Sequence, residues 1–269
     1  MSAHWTLTDQ EFVALWRESN DDALPVPLVY TSRTMFEHDH RRELRSARDR
    51  IRSAHGSAMD VIFETINQPD LRIATYGCVN APADDPENWL RLLGVRRGDN
   101  GYLISQMPGE TLWHSGGFTI TPCEAVRLAD VVAAELPKCP RGGGGNLELP
   151  TPTPDHATEP DIDYSYGRSR IDFNQLEDSP TRRAQEFLAA PAHSTGIIEI
   201  EQGASAFGPQ GITRRRLEWR DLEDDGRYII DGQHPPIATA ADATRVKDLI
   251  NVEIAVVIHA IRDERGRRG

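Results

Sequence analysis

The chain contains several stretches in which apolar side chains recur every three or four positions, the spacing of an amphipathic helix. A threonine followed three positions later by a glutamate, the signature of a capping box, precedes three of them: Thr8/Glu11, Thr34/Glu37 and Thr121/Glu124. We expect a helix to begin at each pair. Further helices are predicted from about Ser57 to a point before Pro69, from Pro180, and from about Ala240 onward.

Runs of apolar and β-branched residues separate these helices and predict strands. The predicted strands are residues 26–30, Leu71–Cys78, Trp89–Arg97, residues 102–107 and 118–120, and then residues 197–200, 212–221 and 228–230. The turns at residues 98–101 and 224–226 each join two strands into a hairpin, because their glycine, asparagine and aspartate residues favour tight turns. Hairpins imply antiparallel pairing.

The predicted elements fall into two halves with the same order of elements. Gly226 follows Gly101 by 125 positions, and Gly196 follows Leu71 by the same distance. Between the halves the chain is rich in proline and contains four consecutive glycines from Gly142. We therefore predict an N-terminal α/β half at residues 1–136, a mobile acidic linker at 137–178, and a C-terminal α/β half at 179–269.

Composition narrows the class of protein. With 269 residues and 38% hydrophobic residues, the chain is long and apolar enough to bury a core. Its 42 acidic and 30 basic residues give a net charge of -12, which disfavours general binding to nucleic acid or anionic membranes. Three cysteines without C-x-x-C spacing fit a reducing compartment. Neither a signal peptide nor a membrane span is expected, so the prediction is a cytoplasmic protein.

The sequence does not show a motif that carries catalysis. The glycines from Gly142 lack the Lys-Ser or Lys-Thr of a phosphate-binding loop, and His38 and His40 are two positions apart on a predicted helix. We interpret the arginine clusters at residues 41–52 and 214–216 as solvent-exposed surfaces on which the arginines form salt bridges with nearby acidic residues. We expect no catalytic residue, cofactor or metal ion. Two alternatives remain open: a hydrolase-like enzyme with an unrecognised site, and an arginine-dependent DNA-linked regulator.

Several short stretches resemble one known family. They are WTLTDQEFVALW at 5–16, LPVPL at 24–28, RAQEFLAAP at 183–191, GII at 196–198, and DGRY at 225–228 with Trp219 before it. In order and spacing they resemble the EspG family, the ESX (type VII) secretion-associated chaperones of mycobacteria and related actinobacteria. The long acidic linker and the acidic loop at 81–87 depart from that pattern.

The resemblance implies both a fold and a function. The fold would be a quasi-twofold α/β protein of the α+β type, with a central, mainly antiparallel sheet flanked by two helical bundles. The function would be that of a cytosolic chaperone, not an enzyme. It would bind the PPE subunit tip of PE–PPE heterodimers, keep them soluble and deliver them to the secretion machine.

Strand alternation predicts where such a partner binds. In each half, side chains at alternate positions share one sheet face, and we expect one face to lack a helical cover. The final helix carries more apolar positions than a single buried stripe requires. The additional apolar residues would either contact the partner or pack against the helix from Pro180. The predicted partner-binding residues are Trp89, Arg91, Leu93, Arg214, Arg216, Glu218, Arg220, Leu249, Val252 and Val256.

Overall fold

Five α-helices form within residues 4–20, 23–80, 82–151 and 180–267, the part of the chain that the computed structural model describes. They are α1 (Asp9–Trp16), α2 (Glu37–Asn67), α3 (Leu128–Glu135), α4 (Pro180–Ala189) and α5 (Ala243–Gly266). The capping box of α1 is confirmed: the Thr8 hydroxyl accepts the Glu11 amide at 3.2 Å, and the Glu11 carboxylate accepts the Thr8 amide at 3.0 Å. The helices predicted on either side of Ser57 meet in α2, whose helical geometry breaks at Gly56.

Ten strands form one sheet within the same residues. They are β1 (Trp5–Leu7), β2 (Leu71–Cys78), β3 (Trp89–Arg97), β4 (Asn100–Pro108), β5 (Ser115–Glu124), β6 (Leu147–Glu148), β7 (Ala192–Gln202), β8 (Arg214–Leu222), β9 (Arg227–Asp231) and β10 (Ile237–Ala240). Their order across the sheet is β1-β5-β4-β3-β2-β7-β8-β9-β10-β6. Every pairing between these strands is antiparallel, so the predicted α/β fold with a mainly antiparallel sheet is confirmed.

Three local predictions are wrong. Thr34 caps no helix, because its hydroxyl donates to the Glu43 carboxylate at 2.5 Å while α2 begins after Phe36 without a side-chain cap. Thr121 lies inside β5, where the backbone follows the strand ladder. Residues 26–30 form no strand: the Leu28 amide closes a turn onto the Pro25 carbonyl at 2.9 Å, and the next amide donates to the Gln106 side chain at 2.8 Å.

The sheet is symmetric about its centre. On either side of the central β2–β7 pair, β3, β4 and β5 of one half occupy the same places as β8, β9 and β10 of the other. β8 begins and ends 125 positions after β3. In the β2–β7 register, Ala74 pairs with Glu199, again 125 positions apart. A twofold axis relating the halves therefore passes through this pair. The repeat found in the sequence is a symmetry of the sheet.

Helices cover the two sheet faces unequally. On one face α3 and α5 lie side by side over the centre and pack on both halves of the sheet, including Ile73, Leu92, Ile198 and Trp219. On the other face the cover lies only towards the ends. There α1 and α2 pack on β3, β4 and β5 at one end, and α4 packs on β9 and β10 at the other.

The described part of the predicted linker, residues 137–151, lies against the C-terminal half. It contributes β6, which pairs with β10, and the Gly144 amide donates to the Tyr228 hydroxyl at 2.9 Å. The Gly143 amide donates to the Asp225 carboxylate at 2.6 Å. The prediction of a linker from residue 137 is therefore wrong for this stretch, because its backbone finds partners on the C-terminal half. The rest of the predicted linker, from residue 152, lies outside the described residues.

Candidate partner-binding face

The face that α1, α2 and α4 cover only at its ends leaves a band of strand residues in the middle, which we call the open face. The pairing registers align its side chains in rows across β3, β2, β7 and β8, because partners in an antiparallel ladder project to the same side. Four rows cross the open face: Trp89–Cys78–Thr195–Arg220, Arg91–Tyr76–Ile197–Glu218, Leu93–Ala74–Glu199–Arg216 and Val95–Arg72–Glu201–Arg214. At the β3 end of the last two rows, Leu93 and Val95 are buried in the cluster formed with α1 and α2.

The seven strand residues predicted to bind a partner all fall in these rows, but they are not equally accessible. Arg216 and Glu218 keep 49% and 45% of their side chains exposed. Leu93 is only 1% exposed and packs with Phe12 and Phe63 under α1 and α2. The prediction that Leu93 lies on an accessible surface is wrong, because α1 and α2 extend over that end of the row.

Ion pairs organise the charged side chains of the open face. The guanidinium groups of Arg72 and Arg214 both contact the Glu201 carboxylate, the second at 2.9 Å. Arg216 reaches Glu218 at 3.0 Å and Glu199 at 3.8 Å. Positive and negative groups thus alternate across β7 and β8, and a partner would meet a patterned surface instead of one sign of charge.

Apolar groups lie between these charges. Tyr76 and Ile197 are direct neighbours on β2 and β7, and both are half-buried. Burial raises the pKa of Tyr76, and the Glu199 carboxylate raises it further, so the phenol stays neutral and keeps its hydroxyl proton to donate. The centre of the open face therefore offers apolar area together with a hydrogen-bond donor.

The remaining predicted strand residues are anchored at the margins. The Arg91 guanidinium lies 5.3 Å from the centre of the Trp89 ring and donates to the Leu112 carbonyl at 3.0 Å; burial lowers its pKa. Arg220 donates to the carbonyls of Leu188 and Ala190 at 3.2 and 2.8 Å. Arg91 thus binds the β4–β5 loop and Arg220 binds the end of α4, so their side chains are held by backbone carbonyls, whereas Arg214 and Arg216 bind the carboxylates given above.

The three predicted residues of α5 lie on the opposite side of the sheet. Val252 and Val256 are 57% and 41% exposed, whereas Leu249 packs on the core beneath α5. Because α5 covers the face that carries Trp219, it cannot share one continuous surface with Arg216. The alternative that α5 packs against α4 is also wrong, since α5 packs against α3.

Polar residues of one cleft and arginines of α2 form hydrogen bonds and ion pairs within the chain. A cleft of about 510 Å³ between the end of α2 and the β7–β8 loop contains Asp70, which binds Arg265 at 2.7 Å, and Glu264, which accepts the Ser205 hydroxyl at 2.9 Å. The arginines of α2 with carboxylate partners are Arg41, Arg42, Arg48, Arg50 and Arg52. The expectation of a salt-bridged face on α2 is thus confirmed.

One cluster of potential metal ligands was not foreseen from the sequence. Ligand atoms of Cys139, His193 and Asp221 all lie within 4.8 Å of one another. The three residues are far apart in the chain and belong to different elements, so no spacing rule could bring them together. Only the path of the chain after α3, which crosses to β7 and β8, places them side by side.

The fold and the open face together define a class of protein: two quasi-equivalent α/β halves that share one antiparallel sheet and expose part of one face. The EspG family profile matches residues 8–251, and the chain belongs to the EspG family. No curated protein matches the chain by sequence. Within the described ranges, no helix has the length and apolar character needed to cross a membrane.

A solved structure shares this fold. It is that of the Mycobacterium tuberculosis type VII secretion system chaperone EspG5 in complex with the PE25–PPE41 dimer, with a TM-score of 0.52 and 10% sequence identity. The similarity covers 97% of this chain and 96% of that chain. It thus includes both halves and the shared sheet.

Proposed function

We propose that the protein is a cytoplasmic chaperone of type VII (ESX) secretion that binds the PPE subunit of a PE–PPE heterodimer, keeps the heterodimer soluble and delivers it to the secretion machine. Membership of the EspG family carries this proposal. The shared fold with EspG5, which was solved bound to a PE–PPE dimer, supports it. The activity proposed is binding, not catalysis.

We assign the binding surface to the open face, centred on Tyr76, Ile197, Arg216 and Glu218. Half-buried apolar groups surrounded by charged side chains match the general anatomy of a protein interface, in which an apolar centre is enclosed by a polar rim. A PPE tip that carries an apolar residue flanked by polar groups would fit this arrangement. The central residues should contribute most to affinity, and the rim charges should govern specificity and salt dependence.

A charge swap tests this assignment. The double variant Arg216→Glu/Glu218→Arg keeps the net charge and retains the possibility of the 216–218 ion pair, but it places a carboxylate at position 216 opposite Glu199. Because these side chains are largely exposed, we expect the free protein to fold with only a small loss in melting temperature. The swap reverses the charge pattern that a partner meets, and we expect the PE–PPE complex to be lost in size-exclusion chromatography after co-expression.

The matched control lies on the other side of the molecule. Val252→Asp/Val256→Asp places charges on the exposed surface of α5, and these side chains are remote from the open face. We expect this variant to retain the complex. Loss of binding in the control together with normal binding in the charge swap would move the interface to α5, and failure of the unmodified protein to bind any PE–PPE pair would refute the function itself.

A further inference from the structure

We propose that Cys139, His193 and Asp221 bind a divalent metal ion of the zinc class. The sulfur, an imidazole nitrogen and a carboxylate oxygen of these residues lie within 4.8 Å of one another. Ligands bound to one Zn²⁺ ion at 2.0–2.3 Å are themselves about 3–4 Å apart, so small side-chain movements would bring all three onto a common ion. This inference is independent of the proposed chaperone function.

The sheet is irregular where the histidine enters the cluster. Asp221 pairs with Ser194 in the β7–β8 ladder, and the register shifts between Ala192 and Ser194. In a regular ladder His193 would project to the face opposite Ser194 and Asp221, because successive side chains alternate. A bulge redirects the side chain at its position. The irregularity at His193 therefore explains how the imidazole reaches the side of the sheet that carries Asp221.

A rigid outer layer supports the carboxylate. Asp221 is fully buried, and its two oxygens accept hydrogen bonds from Arg227 at 2.7 and 2.6 Å. Arg227 also donates to the Pro137 carbonyl at 2.7 Å, which fixes the chain two residues before Cys139. Ligating carboxylates are themselves usually hydrogen-bonded in this way. Because Arg227 offsets part of the carboxylate charge, the site should bind more weakly than a closed four-ligand zinc site.

The ligand set selects the type of ion. Thiolate and imidazole ligands favour zinc and similar ions, whereas Mg²⁺ and Ca²⁺ require oxygen ligands. His193 is exposed and Cys139 is half-buried, so an ion can enter from solvent and complete its coordination with water. Binding would release the Cys139 thiol proton to solvent. The ion would tie the chain after α3 to β7 and β8.

Cobalt(II) provides a direct probe, because it occupies zinc sites and reports thiolate coordination by a sulfur-to-metal charge-transfer band in the near ultraviolet. We expect the full-length protein, first stripped with EDTA and dialysed, to develop this band when titrated with Co²⁺, and Zn²⁺ to abolish it. Cys139→Ser and His193→Ala should each lose the band. Cys78→Ser and Cys123→Ser serve as matched controls and should keep it, because neither thiol belongs to the cluster.

Two results would overturn the proposal. The first is the absence of the charge-transfer band in the unmodified protein. The second is a band that persists in Cys139→Ser or in His193→Ala, which would place the cobalt elsewhere. A melting curve with and without Zn²⁺ gives an independent readout: the ion should raise the melting temperature of the unmodified protein and leave that of Cys139→Ser unchanged.

Discussion

Two glycines at the centre of the sheet make room for one tryptophan. Gly77 of β2 pairs with Gly196 of β7, which in turn pairs with Trp219 of β8. The Trp219 side chain is fully buried, and its indole N–H donates to the Ser194 hydroxyl at 2.9 Å. A Cβ atom at Gly196 would lie 2.0 Å from the indole ring. The seam between the halves thus depends on the absence of side chains at these glycines.

Gly196→Ala should destabilise the protein by about 1–3 kcal/mol, since the indole must shift out of a close-packed position. Urea denaturation measures this change in the free energy of unfolding. Gly145→Ala is the matched control, because a Cβ there meets no atom within 4 Å, and its effect should stay within about 0.5 kcal/mol. Equal stability of the two variants would contradict the packing described for Trp219.

His40 gives the protein a specific pH dependence. The imidazole is buried, with Nε2 facing the Arg17 guanidinium at 3.4 Å and Nδ1 facing the Ser32 hydroxyl at 3.1 Å. Arginine can only donate, so Nε2 must accept and the proton sits on Nδ1. Burial lowers the pKa of His40 below its usual 6.5, and Arg17 lowers it further.

The lowered pKa determines the sign of the effect. Below about pH 6.5 His40 is protonated in the unfolded chain but stays neutral to lower pH in the folded protein. The unfolded state then binds more protons, so the free energy of unfolding should fall as the pH drops from 7 to 5. His40→Gln removes this titration. Urea denaturation at several pH values should show a flatter profile for the variant in that window. Identical slopes would mean that His40 is not the titrating group.

At the scale of single elements, local sequence predicted the helices and strands better than it predicted where they begin. The box at Thr8 and Glu11 forms although Arg50 also approaches the Glu11 carboxylate, at 3.8 Å, because the carboxylate still accepts the Thr8 amide at 3.0 Å. Thr34 has a competing partner in Glu43, and Thr121 is held by the β4–β5 ladder. A capping signature describes only four residues, so tertiary partners elsewhere in the chain decide whether it is used.

Thr8→Ala should lower the free energy of unfolding by about 1 kcal/mol, because the Glu11 amide at the start of α1 loses its acceptor. Thr8→Ser keeps a hydroxyl in the same place and should restore most of the loss. Thermal melting of the three proteins tests this directly. A Thr8→Ser variant as unstable as Thr8→Ala would show that the methyl group, not the cap, matters.

At the scale of the whole molecule, we propose that the two halves form one cooperative unit through the β2–β7 ladder and the shared cover of α3 and α5. A protease site introduced within residues 152–179 tests this. After cleavage, the fragments should elute together in native size-exclusion chromatography and separate only in denaturant. Separation under native conditions would show that the shared sheet does not hold the halves.

The fold was largely predictable and the site only partly. The hairpin turns predicted antiparallel pairing, because neighbouring residues encode a turn, and the 125-residue repeat predicted two halves with the same order of elements. The one sheet that the halves share was expected from the resemblance to the EspG family. Alternation correctly grouped Trp89, Arg91 and Arg216 on one face. It could not show that helices bury Leu93 or that α5 covers the opposite face. Those facts depend on how helices dock on the sheet, and strand periodicity carries no information about that.

The central claim is that the open face contacts the PPE subunit, and site-specific photo-crosslinking tests it most directly. A photo-reactive amino acid replaces Glu218 on the open face in one protein and Val252 on α5 in another, since both positions are exposed and lie on opposite sides of the sheet. Each protein is irradiated in complex with a PE–PPE pair encoded near its gene. We predict a crosslink to the PPE chain from position 218 and none from position 252. A PPE crosslink from position 252 alone would contradict the claim.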